Sequence, residues 1–82
     1  MNRVVPAAEL MTVTEGLLKQ MIANAPLALS RILDGIRRSV DAPPSMLYDL
    51  EASAFSSLAD TEDAREGTAA FLGKRSPGFH GR

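Results

Sequence analysis

The chain has 82 residues, a formal net charge of −1, 45% hydrophobic and 23% charged residues, and no cysteine. That length caps it at one domain with a modest core, in the range where a fold leans on partner surface. The near-neutral balance provides no basic field for nucleic acid. The lack of cysteine excludes disulfides and thiolate metal sites, and the composition excludes wholesale disorder.

The opening "MNRVVPAAEL" lacks a secretory h-region, and no apolar run is long enough to span a bilayer. These features predict a soluble, cytoplasmic chain with no membrane partner. Pro26, Pro43-Pro44 and the run Asp60-Thr61-Glu62-Asp63 divide it into four helical segments, and nothing alternates as a strand does.

The first segment runs from about Pro6 to Ala23. Leu10, Val13, Leu17 and Met21 fall on one stripe, and Met11, Leu18 and Ile22 on a second about 100° away. A helix apolar over half its circumference packs against more than one element, and Gly16 either weakens it or permits a close approach. The second segment, about Pro26 to Val40, places Leu29, Ile32, Leu33, Ile36 and Val40 on one face, with Arg31, Asp34 and Arg38 opposite.

The third, about Pro44 to Leu58, has Met46, Leu47, Leu50, Ala54 and Leu58 as its apolar face. Tyr48 and Phe55 form a separate stripe with Glu51 near it. The fourth begins at Asp60 or Thr61, either of which can cap. Glu62, Asp63 and Glu66 are read as favourable charge at the helix N-terminus, and Lys74 and Arg75 as last-turn cations. Ser76-Pro77-Gly78 then turns the chain.

Catalytic apparatus is not evident. His80, the single histidine, lies between glycines in the tail and reads as a solvated residue. There is no Ser-His-Asp set, no phosphate-binding glycine loop and no metal-ligand spacing. Phe71 and Lys74 are i,i+3 neighbours, and a ring beside an ammonium suits a flat phosphorylated ligand such as an adenine nucleotide. On spacing alone, a core Phe beside a dipole-capping Lys is the simpler reading.

The segments "NRVVPAAEL", "APLALSRIL" and "LEASAFSSLADTEDAREGTAAFLGKRSPGFHGR" together resemble the C-terminal region of the enoyl-CoA hydratase/isomerase (crotonase) superfamily. The densest match is Thr61 to Gly67, then Ala70-Phe71-Leu72, Lys74-Arg75, Pro77 and Phe79. The resemblance implies an all-α fold of about four helices over residues 1–82, the trimerisation region of the crotonase fold without its ββα spiral core. In that family two backbone N–H groups hold the thioester oxygen of an acyl-CoA, and in the hydratases two Glu residues manage water and proton. All of these would lie upstream of Val4, so Met1 is expected to be internal to a longer reading frame and the chain inactive alone.

The same resemblance gives Phe55, Phe71 and Lys74 as CoA-binding residues, Phe79 as a packing anchor, and acyl-CoA as the substrate of the complete enzyme, with fatty-acid metabolism as its setting. It implies a homo-oligomer, trimer or hexamer, once a core is attached, with no separate cofactor. Two departures bear on the CoA contacts: Ile32-Leu33-Asp34 stands where many members carry a Lys, and Gly73 where many carry a Glu. The alternative is a free-standing helical interaction module that pairs with a full-length relative.

Overall fold

The computed structural model describes residues 3–82; the expectation about Met1 lies outside them. A 3-10 turn over Ala7–Glu9 leads into helix α1 (Leu10–Ile22), followed by α2 (Pro26–Ser39), α3 (Pro44–Leu58) and α4 (Glu62–Leu72). No strand occurs among the described residues. The four expected helices are therefore the four observed. Among the described residues no helix is long and apolar enough to cross a membrane.

Local chemistry sets the boundaries. Pro26 and Pro44 open α2 and α3 at their first positions, each preceded by an extended residue, Ala25 or Pro43. Proline lacks an N–H that the first turn does not use, and it forces the residue before it out of the helical region. Pro6 differs from expectation. Its own ψ is 145°, so the chain turns only after it, first as the 3-10 turn and then as α1.

At α4 the cap is Thr61 and not Asp60. The Ala64 N–H donates to Thr61 Oγ1 at 3.1 Å, and the Thr61 hydroxyl donates to the Leu58 carbonyl at 2.7 Å. The helix ends at Leu72, before Lys74 and Arg75, which the sequence suggested were in its last turn. Lys74 has φ 50°, its N–H donates to the Phe71 carbonyl, and the Arg75 N–H donates to that of Ala70. This is a Schellman closure in which lysine holds the left-handed position that glycine usually takes. The turn thus comes at Lys74, ahead of Ser76-Pro77-Gly78.

Packing is open. The chain measures 43 × 39 × 18 Å with a Cα radius of gyration of 15.9 Å, against about 12 Å for a compact domain of this length. Its accessible surface is 6933 Å², where a compact monomer of this mass exposes about 4,800 Å². Helices α2 and α3 pack side by side. Both stripes of α1 remain largely in solvent; Met11 is 66% and Ile22 72% exposed, so the expected partners of that helix are not within this chain. A Cβ on Gly16 would meet nothing within 4 Å, so no close approach occurs there either. The only fully buried residues among those described are Ala70 and Asp63, both on α4.

Candidate functional site

Three places on the molecule carry polar or aromatic groups in a defined arrangement. The first is an open groove of about 470 Å³ between α2 and α3. Ile32, Ile36, Leu47 and Leu50 line it, together with Arg31, Glu51 and Phe55. Phe55 is 77% exposed, on its separate stripe as the sequence suggested, and borders this groove at its rim. One sequence reading is corrected here. Arg31 does not lie opposite the apolar face of α2 but joins Ile32 in the groove wall. On α3 the groove is lined by positions 47, 50, 51, 54, 55 and 58, of which Leu47, Leu50, Ala54 and Leu58 are half-buried while Glu51 and Phe55 stay exposed at its rim. Tyr48 lies outside the groove lining and is exposed.

The second place is the end of α4, where Phe71 and Lys74 stand. Phe71 is 83% exposed, so it is not a core residue of this chain. Lys74 lies one residue past the helix cap in the left-handed conformation. These two residues share one helix end, whereas Phe55 belongs to the α2–α3 groove, whose lining includes neither of them.

The third place was missed by sequence reasoning. The tail folds back along α4 and is fastened by the carboxylates read as dipole charge. Asp63, 3% exposed, accepts the His80 N–H at Oδ1 and the Gly81 N–H at Oδ2, both at 2.8 Å. Its own N–H donates to the Arg82 carbonyl at 2.8 Å. Glu66 accepts both terminal nitrogens of Arg75, at 2.6 and 3.0 Å, and the Gly78 N–H at 2.9 Å. Those two partners, Arg75 first and Gly78 second, hold the Glu66 carboxyl at about 2, down from 4.5. Arg82 pairs with Glu62 at the exposed edge.

Phe79 is half-buried with its ring 3.5 Å from where a Gly67 Cβ would stand, as an anchor would be. Gly81 takes φ 78°, against Pro26. His80 is held through its backbone and its side chain stays exposed. A signal for this latch exists in the sequence, since Asp and Glu at i,i+3 on a helix start face one way. What they hold lies 12 to 18 residues on, beyond any local rule. No group of three or more potential metal-ligating side chains occurs among the described residues.

The profile of the enoyl-CoA hydratase/isomerase family matches residues 1–82. The chain belongs to the enoyl-CoA hydratase/isomerase family. Carnitinyl-CoA dehydratase of Escherichia coli (strain K12) is 36% identical over 85 residues, covering 99% of this chain and 33% of that relative. An enoyl-CoA hydratase from Polaromonas sp. JS666 superposes with a TM-score of 0.89 at 30% identity, over 98% of this chain and 31% of that one. An enoyl-CoA hydratase subunit I from Geobacillus kaustophilus HTA426 gives 0.87 at 39% identity, over 100% and 32% respectively. The chain spans about a third of the length of the curated relatives it matches. Its open helical layout is thus one that these enoyl-CoA hydratases also contain.

Proposed function

We propose that this chain acts as the C-terminal helical region of an acyl-CoA hydratase/isomerase of fatty-acid metabolism, contributing subunit contacts and part of the site for the CoA adenine, and that it turns over no acyl-CoA by itself. The observation that carries the reading is the surface it leaves uncovered. The chain exposes about 2,100 Å² more than a compact monomer would, more than twice the ~800 Å² that one partner contributes to an ordinary protein interface. Much of it is the double apolar stripe of α1, a helix with nothing to pack on here. In this reading those faces meet an enzyme core and neighbouring subunits. Phe71 stacks on the adenine and Lys74 answers a phosphate. Phe55, at the α2–α3 groove, faces the pantetheine and acyl side.

The test is direct. Purified chain is assayed with crotonyl-CoA at neutral pH, and hydration no faster than the buffer blank is expected. Turnover that tracks the chain through purification would refute the proposal. Mixed with the separately expressed core of a matched hydratase, trimmed of its own helical region, the chain should co-elute as one species in gel filtration.

A second reading, an interaction module that pairs with a full-length relative, is favoured by one feature. The latch completes α4 with groups from this chain alone. That reading requires sharp, cooperative melting of the isolated chain, and a broad transition would count against it.

A further inference from the structure

Lys74 is the only non-glycine residue at positive φ among those described. Its neighbour Gly73, which could occupy that region freely, instead has φ −80°. A side chain adopts the left-handed conformation at a cost, and such a residue persists where its surroundings over-determine it. The surroundings here are specific. Behind Lys74, the Schellman bonds tie its own N–H to Phe71 at 3.2 Å and the Arg75 N–H to Ala70 at 3.0 Å. Ahead of it, Glu66 takes the Arg75 guanidinium in a two-point grip and binds the Gly78 N–H with the same carboxylate. Two planar groups in that pairing fix orientation as well as distance. The loop from Gly73 to Gly78 is thus pinned at both ends to α4, with Lys74 at its bend. The Lys74 ammonium itself enters no ion pair among the described residues.

We propose that Glu66 is a positioning residue, which by gripping Arg75 and Gly78 together holds Lys74 in its left-handed turn and so presents the ammonium to an anionic ligand beside Phe71. The proposal rests on the reading of Phe71 and Lys74 as a CoA contact. Glu66 touches no ligand in this scheme. It acts by keeping one loop geometry populated, and a loop that held that geometry a tenth of the time would bind about tenfold more weakly.

The experiment is an NMR titration with CoA of the isotope-labelled 82-residue chain bound to the trimmed hydratase core, following the amides of Phe71 and Lys74. Three variants are compared with the parent. Glu66→Gln removes the charge that holds Arg75. Arg75→Lys keeps the charge but loses the planar fork. Asp63→Asn loosens the tail at His80 and Gly81 and leaves the Glu66 grip alone. The expected result is roughly tenfold weaker CoA binding in E66Q, a smaller loss in R75K, and binding within about twofold of the parent in D63N. The amide-to-α-proton coupling of Lys74 should shift from its left-handed value in E66Q and not in D63N. Parent-like affinity in E66Q and R75K would overturn the proposal while sparing the reading beneath it. Equal weakening in E66Q and D63N would overturn it too, since general loosening of the tail would then suffice. Phe71 and Lys74 amides of the parent complex left unmoved at saturating CoA would overturn the CoA reading and the proposal with it.

Discussion

Replacing Asp63 with alanine tests whether the tail is held by this one carboxylate. The wild-type side chain accepts two backbone N–H bonds at 2.8 Å while 3% exposed. A hydrogen bond to a charged group contributes about 1.5–3 kcal/mol net, so the pair is worth roughly 3–6 kcal/mol. Against it stands the freedom of the tail, since releasing the four residues from Phe79 to Arg82 returns about 1 kcal/mol or more each. What is left in D63A, chiefly the half-buried Phe79, the backbone bond from residue 63 to the Arg82 carbonyl and an exposed Arg82–Glu62 pair, contributes only about 3 kcal/mol. The balance then favours release. The tail should detach as a unit while α4 keeps its Thr61 cap. Hydrogen exchange read by NMR is the assay. A loss of about 3 kcal/mol in local opening should speed exchange of the His80 and Gly81 amides by about two orders of magnitude, with mid-helix amides of α4 changing far less. If His80 and Gly81 exchange in D63A as slowly as in the parent, Asp63 is not the latch.

Other substitutions and conditions probe the same region. Thr61→Ala should weaken α4 by about 1 kcal/mol, seen as lower helicity and faster exchange at Ala64, because that N–H loses its acceptor. Gly67→Ala should stabilise α4 by up to about 1 kcal/mol, because its new Cβ would make ordinary contact with the Phe79 ring at 3.5 Å. Gly67→Leu should instead drive that ring out, visible as averaged Phe79 ring resonances. The hold of Glu66 on Arg75 and Gly78 is fully present above pH 4.5 and is lost as pH falls toward 2, since its carboxyl is depressed from 4.5 to about 2 in the folded chain. An acid titration should therefore show the Gly78 amide resonance moving mainly below pH 4.5, and movement centred on neutrality would contradict the assignment.

The exposed pairs carry little. Arg38 and Asp34 meet at 3.0 Å as an i,i+4 couple with both side chains at least half in solvent. Such a pair contributes a few tenths of a kcal/mol, so Arg38→Ala should leave thermal stability almost unchanged in a melt followed by circular dichroism.

The helices were legible because their causes are local. Proline at the first helical position, a threonine cap and apolar residues at 3.6-residue spacing act within one or two turns, so Pro26, Pro44 and Thr61 set their boundaries in any context. Family membership was legible for a related reason, since Thr61 to Phe79 keeps residue types and spacing together. Assignment of faces was harder. The sequence set Arg31 opposite the apolar face of α2, yet it lines the α2–α3 groove, and Phe55, exposed on its separate stripe, borders that groove as well. Periodicity fixes a residue's direction on its own helix and says nothing of where the neighbour lies. The latch was hidden for the same reason. Asp63 and Glu66 satisfy a helix-dipole rule locally, and only the fold-back of the chain after Lys74 gives them the N–H groups of Gly78, His80 and Gly81 as partners. Hydrogen bonding across 12 to 18 residues depends on the path of the intervening chain. The tertiary structure decided that path, when it placed the left-handed turn on Lys74.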